Sequence, residues 1–431
     1  MPGKWPAAAW MLPICVWTAA GQTGSARYGA GELVRMAVEK NRELSAVRQR
    51  VAEARGQLKQ AGVRPAPSVQ IGGATGSPLG SPGREEYSAG YTQPVELGGK
   101  RGKRVEAAEQ WVAQAEAELA ERTLGLATEV KQQYAEAVTE REKLASLEKV
   151  IEAYRGSAGL LEARVKEGDA AALDLQLLRV EASRAEAQRG EAAGRVKAAE
   201  WELRRLCGLE AGEALALAEP EEARGRRSYA MGELKKLALE RRPELALARA
   251  EEARSAAEAR LAEAQGRPDI TISVEYALRN ERFGNLYGQT AAGAVAALRD
   301  RDNVISGGVS IPLFAKRRNA GNLEAAAARA VGARDRRQYL EAAIPLEVQA
   351  AWERWRAAAE ALGILEGAVV RQAEKNVEVM QQAYELGQLR LLDVLNERRR
   401  LLETQVARAE AAGAARRGWI ELERAVGGEL K

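Results

Sequence analysis

Histidine is absent from the 431 residues of this chain, and cysteine occurs only at Cys15 and Cys207. The usual zinc ligands, the commonest general base and any Cys–His nucleophile pair are therefore missing. No phosphate-cradling glycine loop is present either, so neither enzymatic activity nor a cofactor is expected. Polar chemistry is left to carboxylates beside two glycine-containing reversals: Asp174 follows Gly168-Asp169-Ala170, and Asp393 follows Gly387-Gln388-Leu389. Each carboxylate would sit at the start of a helix, where it stabilises exposed N–H groups; capping is the expected role of Asp174 and one of two for Asp393. Basic and acidic residues number 65 and 61, a net charge of +4, and the signs are interleaved along the chain, which disfavours nucleic-acid binding.

Both reversals belong to a duplicated unit. Gly31-Glu32-Leu33, Ala37 and Glu43-Leu44 recur as Gly232-Glu233-Leu234, Ala238 and Glu244-Leu245 at an offset of 201. Pro94 and Val105-Glu106-Ala107-Ala108 answer Pro312 and Leu323-Glu324-Ala325-Ala326 at 218, and Gly168, Asp174 and Gly208 answer Gly387, Asp393 and Gly427 at 219. Two copies of one supersecondary unit, 31–208 and 232–427, are joined through a linker at 209–231, with a tail at 428–431. Charged residues make up 29% and Phe occurs only twice, the profile of long helices with a narrow apolar stripe.

Lys4, the mostly apolar run Trp5 to Ala20 and the small residues Ala19-Ala20-Gly21 read as a signal peptide over 1–21, followed by a leader at 22–30. The run contains Pro6 and Pro13 and is shorter than the roughly 20 residues a spanning helix needs. Within each copy the order is helix, strand, strand, long helix, return helix. Residues 31–64 and 232–265 are rich in helix formers and end near Pro65, Pro67 and Pro268. Strands follow at about 67–74 and 86–95, and at about 268–278 and 304–314; turn residues Gly76 to Gly83 separate the first pair, and a longer connection over 279–303 the second. The long helices run over about 100–166 and 319–385, with a coiled-coil seam at Leu144, Leu147, Ile151, Tyr154, Ala158, Leu161 and Val165, kept in step by Val370, Ala373, Val377, Met380 and Tyr384. Pro345, set against Leu126 of the first copy, is expected to bend its helix.

The strands alternate. Val69, Ile71, Ile270, Ile272, Val274, Tyr276, Ile305, Val309 and Ile311 form an apolar face, whereas Ser88, Gly90, Ser306 and Ser310 are small or polar on the other. No second apolar sheet exists to bury the first face, so lipid is the expected partner. Unpaired strand edges are costly in hydrocarbon, and four strands cannot close a barrel, so copies must share one. Two copies would give eight strands, whose interior side chains fill; three give twelve and leave a channel. Tyr87, Tyr91, Tyr276, Tyr287 and Phe314 are candidates for an aromatic girdle.

The duplicated pattern, with Tyr384-x-x-Gly387 before Leu392-Asp393-Val394-Leu395 and Gly308-Val309-Ser310-Ile311-Pro312-Leu313-Phe314 before the second long helix, resembles the TolC-like outer-membrane efflux proteins. The stretch Gln93-Pro94-Val95-Glu96-Leu97-Gly98-Gly99-Lys100-Arg101 is similar to the branch serving heavy-metal cation pumps. The resemblance implies a mostly α fold with a membrane β-barrel contribution: a homotrimeric 12-stranded β-barrel on a 12-helix α-barrel tunnel. It implies placement in the bacterial outer membrane with a periplasmic helical extension, as the passive exit duct of a tripartite efflux system fed by an inner-membrane pump and a periplasmic adaptor. The adaptor-docking tip then maps to Gly168, Asp169, Ala170, Gly387, Gln388 and Leu389. A periplasmic constriction maps to Asp393 and Asn396, the latter standing where the family often has a second carboxylate. A periplasmic adaptor is the first rival, disfavoured by duplication of the whole unit; a coiled-coil scaffold is the second, requiring the strands to be dispensable.

Overall fold

A computed structural model describes residues 27–79, 84–210, 213, 215–219 and 229–430. The expected signal peptide, Cys15 and the turn residues Gly80, Pro82 and Gly83 lie outside the described residues. The leader holds β1 (Arg27–Tyr28), and the first copy comprises α1 (Ala30–Lys40), α2 (Arg42–Ala61), β2 (Ser68–Thr75), β3 (Arg84–Val95), α3 (Lys100–Glu167) and α4 (Ala172–Cys207). After β4 (Ala216–Leu217), the second comprises α5 (Met231–Arg241), α6 (Pro243–Gln265), β5 (Ile270–Gln289), β6 (Val295–Ser310), α7 (Ala315–Arg318), α8 (Ala320–Ile364), a π turn over Leu365–Val369, α9 (Val370–Glu385) and α10 (Leu391–Val426). The linker is not featureless: β4 pairs in parallel with β1, tying leader to linker.

Several expectations are corrected. Residues 31–64 are not one helix, because Asn41 interrupts them: its side chain accepts from the Leu44 N–H at 3.0 Å and donates to the Leu206 carbonyl at 2.9 Å. Arg242 and Pro243 make the matching break between α5 and α6. The connection expected over 279–303 is mostly strand, with β5 and β6 running on to a turn in which Gly293 has φ +78° and the Thr290 N–H donates to the Ala294 carbonyl at 2.9 Å. That segment lacks apolar alternation, yet backbone pairing alone suffices to extend the ladder. Ile311 and Phe314 fall beyond β6, and Phe314 takes a left-handed φ of 59° before α7.

The core is built twice. Leu33, Ala37, Leu44, Leu126, Val130 and Leu203 form one cluster, and Leu234, Ala238, Leu245, Ile344, Val348 and Leu422 form its counterpart. Ile344 therefore takes the place of Leu126, and Pro345, which lies inside α8, answers Ala127 and not Leu126. The return helices end on these cores: a Cβ on Gly208 (φ +64°) would meet the Lys40 carbonyl oxygen at 2.9 Å, and one on Gly427 (φ +94°) the Arg242 Cα at 2.8 Å. Thus α4 abuts the α1–α2 junction and α10 the α5–α6 junction, stacking short helices end to end alongside α3, which at 68 residues extends about 100 Å.

Candidate functional site: helix tips and sheet faces

At the end of α3 the Gly168 N–H (φ +86°) donates to the Val165 carbonyl at 3.2 Å and the Asp169 N–H to the Arg164 carbonyl at 2.9 Å. At the end of α9 the Gly387 N–H (φ +74°) donates to Tyr384 at 2.9 Å and the Gln388 N–H to Ala383 at 2.9 Å. Both are Schellman motifs, in which glycine accepts the left-handed conformation that satisfies the last helical carbonyls. Gly168, Asp169, Gly387 and Gln388 are exposed, while Ala170 and Leu389 are half-buried. Sequence reading overlooked the apolar side chains beside them: Leu173 is 68% exposed, its counterpart Leu392 53%, and Leu386 73%. Leu173 and Leu392 each stand one residue ahead of the aspartate expected to open its return helix, where no helical period singles out a leucine.

Asp393 sits at the third position of α10, where its Oδ2 accepts from the Arg390 N–H at 3.3 Å. Asn396, one turn on, is half-buried, and its Oδ1 accepts from Arg399 at 3.4 Å. Asp174 is not a cap: α4 begins two residues before it, with Ala171 at the capping position and no side-chain hydrogen bond there. Beneath the tip lies the seam expected from the heptads. Val150, Ile151, Tyr154 and Leu161 of α3 pack with Leu175 and Leu178 of α4 and Leu391 and Leu395 of α10. No residue of α9 is buried, so Val370, Ala373, Val377 and Met380 are left half-covered on the flank of the body.

One clasp was missed. Arg398 of α10 donates to the Ala153 carbonyl at 3.2 Å and Ser157 Oγ at 3.0 Å on α3, and to Gln381 Oε1 at 2.9 Å on α9. Burial pushes its guanidinium below the usual arginine range, and among the described residues neutral acceptors are its hydrogen-bond partners. Its place in the run Glu397-Arg398-Arg399-Arg400 gave the appearance of a solvated charged face. The same region encloses a cavity of about 320 Å³ lined by Leu160, Leu178, Tyr384, Val394 and Arg398. Cys207 has a different character: packed in the first core, its thiol is pushed up to about 11 by burial, which makes it inert.

The sheet is antiparallel in the order β2-β3-β5-β6. Register places Val69, Tyr91, Val274 and Gly307 on one rung and Ile71, Ala89, Tyr276 and Ile305 on the next of the same face. Ile272 and Val309 share that face with Gln93, and Ile270 is opposite Val95. Ile71 is 86% exposed, Ile305 78% and Val274 50%, so among the described residues nothing covers this face. The opposite face carries Ser68, Thr92, Ser273 and Gly308, then Gln70, Gly90, Glu275 and Ser306. Strands β2 and β6 are the edges, each with one side of its backbone unpaired in the sheet. Among the described residues no helix is long and apolar enough to cross a membrane.

The chain is 28% identical over 409 residues to the cobalt-zinc-cadmium resistance protein CzcC of Cupriavidus metallidurans, covering 91% of this chain and 88% of that protein. Its fold is similar to that of CusC, with a TM-score of 0.74, 19% identity and coverage of 93% and 92%. It is likewise similar to the outer membrane protein VceC of Vibrio cholerae, with a TM-score of 0.71, 21% identity and coverage of 93% and 97%. The model of the outer membrane efflux protein family matches twice, over residues 33–209 and 234–428. That double match follows the duplication seen in the helices, the strands and the two cores, and the chain belongs to the outer membrane efflux protein family.

Proposed function

We propose that three copies of this chain close a twelve-stranded barrel in the bacterial outer membrane and continue it as a helical tunnel through the periplasm, forming the passive exit duct of a tripartite efflux system. The observation that carries this reading is the sheet: one face apolar and uncovered, the other small and polar, both edges open. Lipid satisfies the first face, water the second, and neighbouring copies the edges. Val69, Ile71, Ile270, Ile272, Val274, Tyr276, Ile305 and Val309 would face lipid. Exposed Leu173, Leu386 and Leu392 beside Gly168 and Gly387 give the tip an apolar surface suited to a periplasmic adaptor. Asp393 and Asn396, close to that tip on α10, would line a periplasmic constriction with one carboxylate per copy. Heavy-metal cations are the proposed substrates, supported by the similarity to CzcC and the Gln93–Arg101 stretch. Planar-bilayer recording of the purified protein tests the duct, with trimer-sized channels expected; their absence would favour a scaffold. Metal tolerance of a deletion strain tests the substrate, and sensitivity to cobalt, zinc and cadmium unchanged from the parent would remove the metal assignment.

A further inference from the structure

On the uncovered sheet face the apolar run closes, away from the helices, at the rung Gly73–Tyr87–Leu278–Asn303. The next rungs of the same face read Thr75–Glu85–Asn280–Arg301 and then Arg282–Arg299. Ile270 to Leu278 is nine residues of β5, matching the ~9–11 that a tilted strand needs to cross the hydrocarbon. Arg282, Arg299 and Arg301 therefore stand just past the apolar band, at the level of the headgroups.

These arginines differ from their neighbours through the pleat. On the opposite face Arg279 pairs with Glu86 at 3.3 Å and Arg84 with Glu281 at 3.3 Å, with Asp300 and Asp302 on the same rungs. The three outward arginines are all exposed, and none is in an ion pair among the described residues. Glu85 shares a rung with Arg301 but lies on β3, with Asn280 of β5 between them. Arg282 and Arg299 are directly opposite in the ladder, a like-charge pairing that is destabilising unless an anion lies between. Guanidinium forks match phosphate oxygens in pairs, and a cation belt bordering an apolar band fits an amphiphile with a phosphate head and acyl tails.

We propose that Arg282, Arg299 and Arg301 form an outward-facing site for the phosphate-bearing headgroup of the outer-leaflet lipid, an inference that rests on the outer-membrane reading above. The test places the full-length protein, wild type or R282Q/R299Q/R301Q, in phosphatidylcholine nanodiscs doped with bis-phosphorylated lipid A or with its dephosphorylated form. Native mass spectrometry counts retained lipid, and bilayer conductance is recorded on the same preparations. The wild type is expected to retain the phosphorylated lipid roughly tenfold better than the dephosphorylated one, and the variant to lose that preference with conductance unchanged. Equal retention of the phosphorylated lipid by the variant, or no preference for it over the dephosphorylated lipid in the wild type, would overturn the site alone. Failure of the wild type to form channels would take the outer-membrane reading with it.

Discussion

Glu140 of α3 is 4% exposed and ties three helices together. Its carboxylate accepts from Lys143 at 2.8 Å and from Arg195 of α4 at 2.9 Å, and Lys143 reaches Glu410 of α10 at 3.0 Å. Burial by itself would raise the Glu140 carboxyl, but the bonds from Lys143 and Arg195 outweigh it and hold the group below the usual carboxylate range. Its folded pKa is thus depressed. The stabilisation is present above the unfolded value and is lost as pH falls through the folded one. Glu140→Gln should cost about 3 kcal/mol at pH 7, the low end for breaking a buried pair because Arg195 is partly solvated. Thermal melts from pH 7 to pH 3 check this: the gap between variant and wild type should shrink below about pH 4.5, and a constant gap would assign the effect to packing. None of this was legible from sequence, since an acid in a charge-rich helix looks solvated until the neighbouring helices are placed.

At the scale of elements, glycines set how closely helices approach and where they stop. A Cβ on Gly413 of α10 would lie 2.3 Å from Thr139 Oγ1 of α3. Gly413→Ala should destabilise by about 1–3 kcal/mol through overpacking, and Thr139→Ala in the same chain should recover most of the loss; a melting temperature unchanged by the double substitution relative to Gly413→Ala would defeat the steric account. Gly387, open around its Cβ position but at φ +74°, fails differently. Gly387→Val forces a β-branched residue into the left-handed region. If the tip docks a periplasmic adaptor as proposed, site-specific crosslinking to that adaptor should drop several-fold with the yield of the proposed trimer preserved; normal crosslinking and normal efflux would defeat the docking role. The glycines at the reversals were legible because both copies carry them at one offset. Gly413 was not, because its partner Thr139 lies in the other copy.

For the whole molecule, the unpaired strand edges lie on β2 and β6 of the sheet, and α9 is left half-covered on the body. In one chain Ile71 of β2 and Ile305 of β6 share a rung with two strands between them, about 14 Å at ~4.8 Å per strand. With Ile71→Cys and Ile305→Cys in a Cys207→Ser background, a short bismaleimide should therefore link neighbouring copies and not one copy to itself. Denaturing gels should show dimers and trimers with nothing larger. Monomer alone would contradict the shared barrel, and an unlimited ladder would contradict closure at three.

Sequence by itself determined the duplication, the strand faces, the heptad seam and the glycine reversals, because each is a local period or a conformational demand repeated at a fixed offset. Tertiary structure alone decided the breaks at Asn41 and Arg242, the length of β5 and β6, the Arg398 clasp and the pairing of Glu140. These depend on which backbone carbonyl, guanidinium or unpaired strand arrives from a distant part of the chain, and periodicity carries no record of that.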